Sequence, residues 1–223
     1  MLHLGQGVNS AEQTMARIVS EELGMRGFAA VTAADVPRTS DFLHKIIDLI
    51  RGSGFSIAIF SDRTPARTLA NIFFEVGMAL VFGKPVPLVW TGRNPRSSAV
   101  PSDFVRTEWI RYVVGEEDRL RCDMGRAIDE IEALADYYRK IGDIALDATE
   151  PDLELAFERY KQAVLISADP EARERIIRVR DQLSETARQR RADADDDMAS
   201  HRTRLLQTVS EFVGLLPQQV GGA

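Results

Sequence analysis

The sequence predicts an α/β fold, a parallel sheet covered by helices and followed by an all-α region, on three observations. Short uncharged β-rich runs alternate with helical periodicity up to about Gly115. Six of the nine prolines fall in that part. Beyond it the chain is highly charged and helical in pattern. The domain reading is therefore an α/β domain over 1–115, a helical region over 116–216 and a tail over 217–223.

Each element follows from local pattern. Ser10 and Gln13 have the spacing of a capping box, and Met15, Ile18, Val19 and Leu23 recur at helical intervals, which predicts a helix over 10–23. Phe28 to Thr32 reads as a short strand. Thr39 or Ser40 can cap a second helix with Leu43, Ile46, Ile47 and Ile50 on its apolar face, ended by Gly52 and Gly54. Phe55-Ser56-Ile57-Ala58-Ile59-Phe60 has the composition of a strand covered on both faces. A third helix is expected from Pro65 to Phe82. Pro85 to Trp90 forms the next strand, in which Pro87 implies a late start or an edge position because it has no N–H to donate. Phe104 to Val114 supplies one more strand. The first strand has only Met1 to Leu4 to draw on, so it must be short.

The helical region shows Leu120, Met124, Ile128, Ile131 and Leu134 at helical intervals, and a break near Pro151. Tyr138, Ile141 and Gly142, followed by Ala156, Tyr160 and Ala163, fit a single tetratricopeptide-like helix pair, or a plain helical hairpin with small residues where the helices approach. Arg188 to Arg191 running into Asp193 to Asp197 reads as a solvated helix end or linker. Leu205 to Val213 forms a last amphipathic helix, suited to packing on this region or on another copy.

With 223 residues the chain can bury a core without disulfides. Its net charge of −6 gives no general pull toward nucleic acid or an anionic membrane. One cysteine, Cys122, excludes a disulfide framework and a Cys-rich zinc site. His3, His44 and His201 are scattered without ligand spacing, so no metal is expected. No apolar run approaches the roughly 20 residues of a membrane helix, and Met1 to Gly7 is too short and uncharged for a signal peptide. The expectation is a cytoplasmic protein.

The chemically informative stretch is Leu69 to Phe82, in which Glu75 is the only ionisable side chain. Helical spacing puts Arg67, Asn71 and Glu75 in one polar stripe, with Ile72, Phe73, Val76 and Leu80 toward the sheet. That stripe reads either as a solvent face or as one wall of a site. Gly77, which costs about 1 kcal/mol in a helix interior, suggests close approach of a neighbour. In open parallel sheets ligands gather at the carboxyl ends of the strands. Three loops would meet there: Gly5-Gln6-Gly7, as a plain turn or a phosphate approach, Ala34-Asp35, and Ser61-Asp62-Arg63, as ribose contacts or a helix cap. Trp90 reads as a core aromatic or a base-stacking platform.

Asn71-Ile72-Phe73-Phe74-Glu75-Val76-Gly77, followed by Gly83-Lys84-Pro85, resembles the N-x-x-F-E-x-G helix and the G-K-P approach to the next strand shared by bacterial TIR-like domains and nucleoside 2-deoxyribosyltransferase-like proteins. The strand from Phe55 to Ser61, ending in Ser-Asp, fits the same families. The resemblance spans roughly residues 1–115 and implies a flavodoxin-like or TIR-like sheet. It implies Glu75 as the catalytic carboxylate at an N-glycosidic bond, and NAD or a related nucleotide as substrate with no separate cofactor. It further implies a role in defence or signalling, and assembly into a homo-oligomer, for which the helical region is the natural contact.

The transferases usually carry an aspartate six positions before the glutamate, where this chain has Leu69. That departure favours the TIR-like side. In such a site Glu75 would stabilise positive charge on the sugar carbon or attack it, with Phe74 and Met78 lowering the local dielectric and Asn71 orienting the carboxylate or a ribose hydroxyl. Gly5, Gly7, Ser61, Asp62 and Asn71 are the expected substrate contacts. A transferase passing the sugar to another base, and a catalytically silent nucleotide-binding or scaffold module, are the alternatives.

Overall fold

A computed structural model of the chain describes residues 2–3, 10–32, 35, 42–92, 109–189 and 197–216. The chain divides into two compact units, Met1–Ile131 and Glu132–Ala223. The division falls inside a helix, beyond the change of composition at Gly115.

The first unit is built on four parallel strands, β1 (Leu2–His3), β2 (Ile57–Ser61), β3 (Leu88–Thr91) and β4 (Trp109–Tyr112), in the order β1-β2-β3-β4. Register pairs Leu2 with Ile57, Ala58 with Leu88, and Leu88 with Trp109. Parallel neighbours need crossovers, and helices α1 (Ser10–Met25), α2 (Phe42–Gly52) and α3 (Ala66–Val81) lie in the connections. All five residues of β2 are buried, as expected of a strand covered on both faces. Its even-numbered residues Ala58 and Phe60 pack with Leu69, Ile72, Phe73 and Val76 of α3, while Ser61 reaches Glu12 of α1.

Several expectations are corrected. Phe28 to Thr32 is not a strand: only Thr32 makes an isolated bridge. Ala29 and Ala30 are exposed and offer little side chain to bury on a pleated surface, while Phe28 packs edge-on against Phe55, centroids 5.2 Å apart. Pro87 does not mark an edge. β3 is internal and starts just after it, and the Pro87 carbonyl accepts from Ala58 N at 3.1 Å. Leu80 is 51% exposed, and Ala79 takes its place in the core. A Cβ on Gly77 would meet nothing within 4 Å among the described residues, so none of them explains that glycine. Thr39, Ser40 and Pro217 to Ala223 lie outside the described residues, as does most of the Arg-to-Asp block.

Helix α4 (Glu117–Leu146) is anchored in the first unit by buried Leu120, Met124 and Ile128. Arg121 pairs with Glu21 at 2.5 Å and Glu22 at 3.3 Å of α1, and Arg26 with Asp129. In the second unit the end of α4 and α5 (Leu153–Ser167) form a helical hairpin, followed by α6 (Pro170–Gln189) and α7 (Asp197–Leu215). Asp152 starts α5 by accepting from Leu155 N at 3.0 Å. Tyr160 is fully buried, and a Cβ on Gly142 would sit 2.6 Å from its ring, so the glycine is what lets the helices close on that ring. The Tyr160 hydroxyl donates to Asp143 at 2.8 Å, and Arg175 pairs with the same carboxylate at 3.2 Å. No helix among the described residues is long and apolar enough to cross a membrane.

Candidate functional site

The predicted site residues are held at two levels of the sheet. Ser61 ends β2 and Asp62 follows it, so both stand at the carboxyl tips of the strands. There Glu12, in the first turn of α1, enters as a buried carboxylate. Its Oε1 accepts from Ser61 Oγ at 2.5 Å and from Thr64 Oγ1 at 2.6 Å. Ser61 N donates to Thr64 Oγ1 at 2.8 Å, and Ser61 Oγ accepts from Arg63 N at 3.1 Å. This network closes the turn before α3 and occupies the serine that would have met a ribose. Neither Ser61 nor Asp62 caps the helix: the N-cap position is Pro65, with no side-chain cap.

Asp62 is exposed, and its side chain lies across the end of β3. A Cβ on Gly92, whose φ is +149°, would sit 2.8 Å from Asp62 Cγ and 2.7 Å from Trp90 Cζ2, so the chain passes here only as glycine. Trp90 is 2% exposed and stacks edge-on with Phe60 and Trp109 at 5.7 and 6.1 Å. It belongs to the core and is not a platform for a base. Asp35 accepts from Thr32 N at 2.7 Å and Thr32 Oγ1 at 2.8 Å. The backbone bond first, then the hydroxyl, holds its carboxyl below the usual carboxylate range. Gly5, Gly7 and Ala34 lie outside the described residues.

Glu75 stands elsewhere. Nine residues into α3, it is about 13 Å from the start of that helix at 1.5 Å rise per residue. It is half-buried and lines a cleft with Ile50, Ser56, Ile57, Ala58, Ile72, Val76 and Val86. These are residues of α3 itself, the start of β2 with the serine before it, the end of α2 and the approach to β3. The cleft measures about 280 Å³ counting its open mouth, and among the described residues Glu75 is the only ionisable one lining it. Arg67 and Asn71 of the predicted stripe are exposed, so the stripe runs from water into the cleft as α3 proceeds. Phe74 is 55% exposed and does not wall the carboxylate, and Met78 packs toward Ile46, Ile50 and Ala79. The apolar wall comes instead from Ile50, Ile72, Val76 and Val86.

Two residues escaped the sequence reading. Glu12 sits at the amino end of the Met15–Val19 stripe, at i, i+3 and i+7, a spacing that placed a carboxylate on the buried face. Ser56 interrupts an apolar run in alternation with Ala58 and Phe60. It is 8% exposed, and its hydroxyl has no hydrogen-bond partner. Among the described residues no group of three or more His, Cys, Asp or Glu side chains is placed to hold a metal ion. No protein-family model matches the chain, and no curated protein or solved structure matches it either.

Proposed function

We propose that the α/β unit is a TIR-like, flavodoxin-like domain that binds NAD or a related nucleotide and cleaves its N-glycosidic bond, with Glu75 as the carboxylate at the sugar. The observation that carries this reading is a half-buried carboxylate lining a cleft with mostly apolar residues, on the very stretch that resembles the F-E-x-G motif. As the bond from the sugar carbon to the base nitrogen breaks, its electron pair leaves with the base and positive charge develops on the carbon. Glu75 stabilises that charge or forms an ester to the carbon, and water then delivers hydroxide to the carbon and its proton to the medium. Apolar walls make such a charge pair stronger than it would be in water. Asn71, one turn earlier and exposed, meets a ribose hydroxyl from the mouth of the cleft.

The transferase alternative is disfavoured by Leu69, which is 5% exposed and packed with Phe60 and Phe73. At that position the side chain enters the core rather than the cleft. The silent binding module draws support from a different observation: the Glu75 cleft opens beside the first half of β2, away from the strand tips where open sheets usually take ligands. Assembly into a homo-oligomer through the helical unit belongs to the same proposal.

The deciding experiment incubates the full chain at high concentration with a panel of nucleotides, NAD included, and separates the products by chromatography. Release of free base is expected. Glu75→Gln should lower turnover by about two to three orders of magnitude, the scale for losing one key electrostatic group, with the melting temperature nearly unchanged. Equal turnover in both proteins removes Glu75 from the mechanism. Binding without turnover in either protein establishes the module instead.

A further inference from the structure

We infer that the exposed face of α4 in the helical unit is a self-association surface. A second copy of this chain lays its own α4 antiparallel on it, Ile141 against Ile144 and Lys140 against Asp147. The inference deepens the self-association already proposed and rests on that reading, not on the chemistry at Glu75.

Leu134, Tyr137, Ile141 and Ile144 follow one another in steps of three and four residues, the a and d spacing of a two-helix seam. The water-facing side of a helix is ordinarily polar. Here Tyr137 is 56% and Ile144 68% exposed, with Leu134 and Ile141 half-buried on the same stripe. One flank of the stripe is filled within the chain: the Arg159 guanidinium lies 5.7 Å from the centre of the Tyr138 ring, and Ala145 is buried. The other flank carries Lys140 and Asp147, both exposed and, among the described residues, in no ion pair. Neighbouring charges are matched internally, Arg139 with Asp136, Asp169 and Glu171, and Asp143 with Arg175. Lys140 and Asp147 are seven residues apart and so share one heptad position. In an antiparallel pair related by a two-fold axis, a faces d, and flanking residues of like position meet. Ile141 against Ile144 of the second copy sets that register. Helical side chains lean toward the N-terminus, so Lys140 then reaches Asp147 of the second copy, and the axis repeats each contact. A parallel in-register pair would bring Lys140 to Ala145 and leave its charge unmatched. From Tyr137 to Ile144 the seam spans about 12 Å at 1.5 Å rise per residue, a short contact that belongs with weak, concentration-dependent interfaces.

The test is sedimentation velocity of the full chain over a range of concentrations, and a monomer–dimer equilibrium is expected. Ile144→Ser should abolish the dimer. Its circular dichroism and denaturant midpoint should stay those of the parent, because the side chain is exposed. Lys140→Asp and Asp147→Lys should each weaken the dimer about tenfold, since two exposed pairs turn repulsive at once. Combining both substitutions in one chain should restore it. Mixing the two single variants should restore it as well, because each supplies the charge the other lacks, an outcome that no effect on folding can produce. A full chain that stays monomeric, a dimer indifferent to Ile144→Ser, or single variants that fail to weaken the dimer or to rescue one another would overturn the inference. A dimer with this pattern and no nucleotide turnover leaves it standing while the hydrolase reading fails, and turnover by a strict monomer does the opposite.

Discussion

Ser56 immediately precedes β2 and Ser61 ends it, yet their hydroxyls are in opposite circumstances. Ser61 donates to Glu12 and accepts from the Arg63 amide, inside a network that also holds Thr64. Ser56, on the other face of the strand, is equally buried and has no partner. The same contrast recurs between glycines of two helices. Gly142 faces the Tyr160 ring at a distance that no side chain would tolerate, whereas Gly77 meets no described residue within 4 Å. A group whose hydrogen bonds or volume are already matched contributes to stability, and one left unmatched beside a cleft is where a ligand contributes. By that criterion the carboxyl tip of β2 holds a structural joint, and the cleft beside its first half is the site we propose.

The sharpest way to break this distinction compares Glu75 with Glu12. Glu75→Gln should change turnover by the two to three orders of magnitude given above and leave the melt alone. Glu12→Ala should do the reverse. Removing one carboxylate strands the Ser61 and Thr64 hydroxyls, which should lower unfolding free energy by about 1–3 kcal/mol in chemical denaturation, with nucleotide binding intact. Loss of binding without loss of stability in Glu12→Ala would move the site to the strand tips.

The glycine pair sharpens the comparison by packing alone. Gly142→Ala forces the Tyr160 ring to shift and should destabilise the helical unit by about 1–3 kcal/mol, the usual range for overpacking. Gly77→Ala meets no obstacle and should raise stability by up to about 1 kcal/mol, the difference in helix propensity. Both are read from denaturant midpoints, and destabilisation by Gly77→Ala would mean that its face is covered.

The smallest effect concerns Tyr160. Burial first, and then its bond to the Asp143 carboxylate, push its hydroxyl well above its ordinary value near 10.0. Above about pH 10 the unfolded chain loses this proton while the folded chain keeps it, so stability is full below that pH and declines as pH rises toward the folded value. Tyr160→Phe should flatten the alkaline part of the curve of melting temperature against pH. An unchanged slope would show that the hydroxyl titrates normally.

Much of the frame was legible in the sequence because it depends on period and composition. Helix α1 was anticipated over 10–23 and runs from Ser10 to Met25, α3 was anticipated from Pro65 to Phe82 and runs from Ala66 to Val81, and the break before α5 follows from Pro151 and the Asp152 cap. The failures share a cause. Phe28 to Thr32 has an apolar start, but among these residues only Thr32 makes a bridge. Leu80 fits a helical stripe whose last turn runs past the covering layer. Trp90 is a base platform or a core residue depending only on what lies over it.

The candidate site divides along the same line. Pattern alone singled out Glu75, since one carboxylate in fourteen residues of an apolar helix is visible without coordinates. Pattern also showed an uncharged strand beside that helix. Only the folded chain separated Glu75 from Ser61 and Asp62, matched Glu12 to Ser61 across 49 positions and left Ser56 without a partner. Periodicity records which face a residue occupies. Whether a polar atom on that face finds a partner depends on a second segment distant in sequence, and that is settled by packing.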